Sequence, residues 1–187
     1  MSYKLIALDL DDTLLNSQGG ISPHTLDVLQ QARSRGCYPV IATGRSFAGA
    51  KRYYHLLGGN SPIIVLTGSE VLDENGQIIY KMHLENQDAL HILRYAKERD
   101  LHAQIYVGND YCFQKYSKYA DLYEHFYGFP GKVLPDLYDR DVIDTPKIIY
   151  IAEIDTINQI REQIQEQFPH LHLMSSNPHY QIGRAHV

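Results

Sequence analysis

Apolar and polar positions change rhythm along this chain. From Lys4 to Leu10 the residues Leu5, Ile6, Ala7 and Leu8 run almost unbroken. Such a run predicts a strand buried between two layers of a parallel sheet. From Pro23 onward Leu26, Leu29 and Ala32 recur at helical spacing. Ser22 can cap the free N–H groups of that helix, Pro23 suits its first position, and Gly36 ends it. Two further short apolar runs, Pro39 to Ala42 and Pro62 to Leu66, read as strands. A helix capped by Ser46 and stopped by Gly58-Gly59 separates them. The order β-α-β-α-β at these spacings predicts a doubly wound α/β layer.

After Leu66 the rhythm shifts. Val71-Leu72 and Ile78-Ile79 flank Asp73-Glu74-Asn75-Gly76, a hairpin signal. Asn86 is placed to cap a helix through Arg99, with Leu90, Leu93 and Ala96 on one face. Strands are expected at His102 to Val107 and Tyr111 to Gln114, around Gly108-Asn109-Asp110. Residues 116 to 145 are Tyr-rich and partly helical. Lys147 to Ala152 is a strand, and Asp155 is placed to cap a helix carrying Ile157, Ile160, Ile164 and Phe168. Leu171 to Met174 is a further strand, and Pro178 to Ile182 begins another. The organisation expected is a Rossmann-like parallel core over 1–82, an α+β module over 83–182, and a disordered or non-native tail over 183–187.

Composition narrows the class. The 187 residues are 44% hydrophobic and 21% charged, which excludes disorder, collagen and coiled coil. A net charge of −5 argues against nucleic acid as a partner. Two cysteines, Cys37 and Cys112, make no disulfide framework and suit a reducing compartment. The apolar run before Asp9 is too short for a signal peptide or a membrane span. A soluble, cytoplasmic protein with no membrane partner is expected.

The chemistry is concentrated at two strand ends. Asp9-Leu10-Asp11-Asp12-Thr13-Leu14 follows the first strand, and working sites in open parallel sheets lie beyond the carboxyl ends of the strands. One carboxylate there can attack a phosphoryl group, and a second two residues on can move the protons. Oxygen donors from this turn suit Mg2+. The second strand ends in Ala42-Thr43-Gly44-Arg45. A hydroxyl, an amide freed by glycine and a guanidinium together make a phosphate cradle. Each motif alone is also an ordinary loop; their succession on neighbouring strands is the stronger signal.

On these residues the chain resembles the haloacid dehalogenase-like hydrolases, and more narrowly the Cof-type sugar-phosphate phosphatases. Asp9 to Leu15 matches the family's first motif, and Ala42 to Arg45 its second. The insertion after the third strand resembles that subfamily's α+β cap. The resemblance implies an α/β fold with a Rossmann-like core and an inserted cap. It implies Asp9 as nucleophile and Asp11 as general acid/base. Mg2+ would be held by the Asp9 carboxylate and the Asp11 carbonyl. Thr43, Gly44 and Arg45 would bind phosphate or substrate, and Thr13 would brace the first loop. The substrate implied is a small phosphorylated metabolite.

Two departures qualify the resemblance. Where the family carries Asn-Gly after its third strand, this chain has Leu66-Thr67-Gly68-Ser69-Glu70. The family's third and fourth motifs, a core lysine and a Gly-Asp-x-x-Asn-Asp loop, have no counterpart after Ile182. A C-terminally truncated chain with little activity is therefore expected, and its first strand should become an edge open to association. Lys147 is the one lysine placed as a substitute, and it begins a strand of the second module.

The other candidates have bland readings. The tyrosines at 106, 111, 116, 119, 123 and 127 suit a substrate-selecting lid or, more simply, the packing of a small module. The ten histidines are scattered. Three functions remain: a Mg2+-dependent phosphatase working through an aspartyl-phosphate, an inactive phosphate- and Mg2+-binding fragment or regulatory module, and a phospho-accepting signalling domain. Asp11 argues against the last, because an acceptor domain needs no acid/base two residues after its aspartate.

Overall fold

The computed structural model describes residues 3–175 and 181–186. They form two compact units, 1–81 and 82–187. In the first, Leu5–Leu8 is β1, Pro23–Ser34 α1, Tyr38–Ile41 β2, Phe47–Leu56 α2 and Ile63–Val65 β3. β1 and β2 are parallel, with Leu5 opposite Tyr38 and Leu8 opposite Ile41. A parallel bridge between Ala42 and Ile64 carries the layer on to β3. The helices begin where the sequence predicts. Ser22 Oγ accepts from Thr25 N at 3.0 Å, and Ser46 Oγ accepts from Gly49 N at 3.4 Å. Leu10, Val40, Ile41, Ala50, Ile63 and Val65 are buried between sheet and helices. Tyr53 and Tyr54 join them, their hydroxyls donating to Gly19 O at 3.0 Å and Ser61 O at 2.8 Å.

β1 departs from its apolar pattern. Leu5 is 57% exposed and Ile6 37%. Among the described strands β1 pairs with β2 alone. A buried strand needs a neighbour on each side, and its own side chains cannot supply one; among the described residues β1 is a sheet edge. Glu70–Leu72 (β4) and Ile78–Lys81 (β5) extend β3 into an antiparallel ribbon. Its turn is closed by Asp73 Oδ1, which accepts from Asn75 N and Gln77 N at 2.9 and 2.8 Å.

The second unit runs α3 (Asn86–Glu98), β6 (His102–Val107), β7 (Asp110–Phe113), α4 (Lys118–Tyr127), β8 (Lys132–Val133), β9 (Ile148–Ala152), α5 (Ile154–Gln167), β10 (His172–Ser175) and β11 (Gln181–His186). Its sheet has the order β10-β11-β9-β6-β7-β8. Alternation along the strands sorts the side chains. Ala103, Ile105, Cys112, Ile148, Tyr150 and Ala152 share one core with Ala89, Ile92 and Leu93 of α3 and Ile157, Ile160 and Ile164 of α5. The intervening residues His102, Gln104, Tyr106, Tyr111 and Phe113 are buried too. α4 supplies their cover: Tyr123 shares a hydroxyl–hydroxyl hydrogen bond with Tyr106 and meets the Tyr111 ring edge-on at 4.9 Å. A side chain at Gly131 would run into the rings of Tyr111 and Phe113.

Two capping expectations are corrected. α3 begins at Asn86 itself, with Glu85 in the capping position. The Asn86 amide is used elsewhere: its Nδ2 donates to Asp141 O at 3.1 Å and its Oδ1 accepts from Ile143 N at 2.8 Å. α5 starts one residue before Asp155, leaving that carboxylate in the first turn, where it complements the helix dipole. The chain end also differs. Pro178 to Tyr180 lie outside the described residues. Gln181–His186 is a strand between β9 and β10, with Gly183 opposite Tyr150, so 183–186 is paired backbone where a disordered or non-native tail was expected.

His102 couples this packing to pH. It is 9% exposed, and its Nδ1 lies 3.0 Å from Ser117 Oγ. Burial, opposed in part by the Gln104 side chain, pushes its pKa from 6.5 down to about 4. The unfolded chain therefore takes up a proton at a higher pH than the folded one. Stability is full above pH 6.5 and falls as pH drops toward 4, by about 3 kcal/mol across that window. Melting temperatures at pH 7 and pH 4.5 should show this loss, and His102→Gln should flatten it. An unchanged slope in the variant would assign the acid sensitivity to other groups.

Candidate active site

The Asp9 turn is built by the backbone. Leu14 N and Leu15 N return to Asp9 O and Leu10 O at 3.2 and 2.9 Å. Asp9 Oδ1 accepts from Leu10 N at 2.7 Å. Asp12 sits at φ +56°, a conformation that aspartate tolerates. The apolar residues Leu10 and Leu14 point inward, so Asp9, Asp11, Asp12 and Thr13 stay exposed. The Thr13 hydroxyl has no partner among the described residues, so the brace expected of it is not drawn by a hydrogen bond.

The neighbouring loop leaves from the same end of the sheet. Ala42 N donates to Leu8 O at 2.8 Å, one residue before Asp9. Thr43 is 3% exposed, and its Oγ1 accepts from Arg45 N at 3.2 Å. Arg45 reaches across to the acidic turn: its Nε and Nη2 donate to the two carboxylate oxygens of Asp11 at 3.0 and 2.6 Å. The structure thus brings Asp11, Thr43 and Arg45 together with the Asp9 turn on adjacent strands.

The third loop was less legible. Leu66 and Thr67 both adopt positive φ, +53° and +64°, which for a β-branched residue is a strained backbone. They are held by Leu66 N donating to Arg45 O at 2.8 Å and Thr67 N to Thr43 O at 3.1 Å. In a trans peptide the C=O and the following N–H point opposite ways. The bond to Thr43 O therefore turns the Gly44 N–H to the side away from Thr67. The signal available in sequence was the departure from Asn-Gly, since Asn and Gly are the residues that accept positive φ; a leucine and a threonine there hid the turn.

The haloacid dehalogenase-like hydrolase family model matches residues 6–184. The chain belongs to the haloacid dehalogenase-like hydrolases. A Haemophilus influenzae relative is 30% identical over 183 residues, covering 96% of this chain and 68% of its own. Pyridoxal phosphate phosphatase YbhA of Escherichia coli is 28% identical over 126 residues, covering 67% of this chain and 43% of its own. Among solved structures, TM0651 from Thermotoga maritima superposes with a TM-score of 0.86 at 23% identity, covering 100% of this chain and 70% of that one. This hydrolase chain is therefore shorter than each of these relatives. Among its described residues no helix is long and apolar enough to cross a membrane.

Proposed function

We propose that this chain carries the nucleophile and phosphate cradle of a Mg2+-dependent phosphatase for small phosphorylated metabolites. The observation that supports it is the exit of the Asp9 turn and the Thr43-Gly44 loop from one end of adjacent parallel strands. The Asp9 carboxylate attacks phosphorus, the bond to the leaving oxygen breaks, and Asp11 gives that oxygen a proton. Asp11 then takes a proton from water, which attacks the aspartyl-phosphate and releases inorganic phosphate and free Asp9. The Thr43 hydroxyl and the Gly44 N–H hold the phosphoryl oxygens through both steps.

The donor set of the turn fits magnesium. Exposed carboxylates and carbonyls are hard oxygen ligands, and Mg2+ commonly takes one or two from protein and the rest from water and phosphate. The Asp9 carboxylate and the Asp11 carbonyl are the residues that would hold it, and there it would neutralise phosphoryl charge. We assign the second unit as the cap. The name of the YbhA relative supports a phosphorylated cofactor or similar small metabolite as substrate. Cys37 and Cys112, both free thiols, support a reducing, cytoplasmic setting.

Hydrolysis of p-nitrophenyl phosphate in Mg2+ and after EDTA tests the reading. Chelation is expected to lower turnover by about 10²-fold or more. Turnover indifferent to EDTA would remove magnesium from the scheme. Phosphate and Mg2+ binding without turnover would leave a binding module.

A further inference from the structure

Arg45 was expected to bind phosphate, yet its guanidinium is committed within the protein. Nε and Nη2 make a two-point fork on Asp11, and Nη1 lies 3.4 Å from Gly49 O. Its carbon stands 5.5 Å from the centre of the Tyr53 ring. The Arg45 side chain is 14% exposed and that of Asp11 53%. The arginine is thus the more buried member of the pair: α2 and Tyr53 hold it, and it holds the exposed carboxylate. A fork on both carboxylate oxygens sets the plane of the group as well as its distance.

We infer that Arg45 is a positioning residue for Asp11, not a phosphate ligand. Resting on the phosphatase reading above, its task is to keep the acid/base carboxylate aimed at the leaving oxygen. Substrate need not displace the fork, because each carboxyl oxygen has two lone-pair sites: in the acid form one site carries the proton destined for the leaving oxygen while the others accept from the guanidinium. Positioning of this kind is felt in the chemical step and not in ground-state binding.

The test separates leaving groups. p-Nitrophenolate departs without a proton, whereas an alkoxide needs one. Arg45→Ala should cut kcat on an alkyl phosphate such as glycerol phosphate by about 10²-fold, and cut it by at most about tenfold on p-nitrophenyl phosphate. KM for both, and the dissociation constant of inorganic phosphate with Mg2+, should stay within about twofold. Arg45→Lys keeps the charge but loses the fork, so it should remain below wild type on the alkyl ester. Asp11→Asn should show the same leaving-group pattern, and the double variant should lose little more than either single one.

A phosphate affinity weakened about tenfold or more in Arg45→Ala, with equal losses on both esters, would make Arg45 a phosphate ligand and overturn the inference. If wild type hydrolyses neither ester, the phosphatase reading fails instead. The phosphate-binding arm then still decides Arg45. So does the Arg45 Nε–H signal in NMR, which should exchange slowly in wild type and rapidly in Asp11→Asn.

Discussion

Asp9→Asn should abolish Mg2+-dependent turnover, by at least about 10³-fold in kcat, without unfolding the protein. The substitution is nearly isosteric. Among the described residues the Asp9 side chain makes one hydrogen bond, accepting from Leu10 N through Oδ1, and an amide oxygen can do the same. The turn itself is closed by backbone bonds from Leu14 and Leu15, which the change does not touch. What is lost is the anionic oxygen that would attack phosphorus and carry it as an acyl phosphate. The melting temperature should therefore stay that of wild type. Acid-quenched protein should carry labelled phosphate in wild type and none in the variant. A variant that keeps turnover within about tenfold of wild type would show that another group performs the attack.

Tyr123→Ala should be the most damaging single change in the second unit, costing about 3–5 kcal/mol. Tyr123 is 1% exposed and packs with three aromatic neighbours: Tyr106, Tyr111 and the stacked Tyr127 at 4.1 Å. Burial holds its phenol well above the ordinary range, so the hydroxyl is neutral at physiological pH and shares one hydrogen bond with that of Tyr106. Truncation empties the space under α4 and removes the hydroxyl–hydroxyl hydrogen bond to Tyr106. Tyr123→Phe separates the two effects, because it keeps the ring and loses only the hydroxyl, at about 1–2 kcal/mol. Urea unfolding followed by near-UV and far-UV dichroism checks both. A loss below about 1 kcal/mol in the alanine variant would mean that the pocket collapses around the gap.

How far the sequence spoke depended on the range of the interaction. Ser22 and Ser46 were legible as caps because their partners, Thr25 and Gly49, lie three residues away. The acidic turn and the Thr43-Gly44-Arg45 loop were legible because each follows its strand directly. Asn86 looked like a cap as well, but its amide serves Asp141 and Ile143, more than fifty residues on. The partner of Arg45 was equally hidden, 34 residues back at Asp11. The exposure of β1 depends on which strands stand beside it, and no residue of Leu5–Leu8 encodes that. Leu66 and Thr67 concealed their turn because tertiary bonds to Arg45 and Thr43 override the preferences of both side chains.

Those same bonds have a consequence for how the site opens. Ile64 is tied to Thr43, Thr43 to Thr67, Arg45 to Leu66, and Arg45 to Asp11. The links run in series through three loops that are distant in sequence, so releasing one leaves the others without their anchor. Local opening at this end of the sheet is then a single cooperative event rather than three independent ones. An anion that settles on the Thr43-Gly44 loop makes that event rarer for all three segments at once. Occupancy of the site would thus be written into the amide exchange of Leu66 and Thr67, residues that need never touch the ligand.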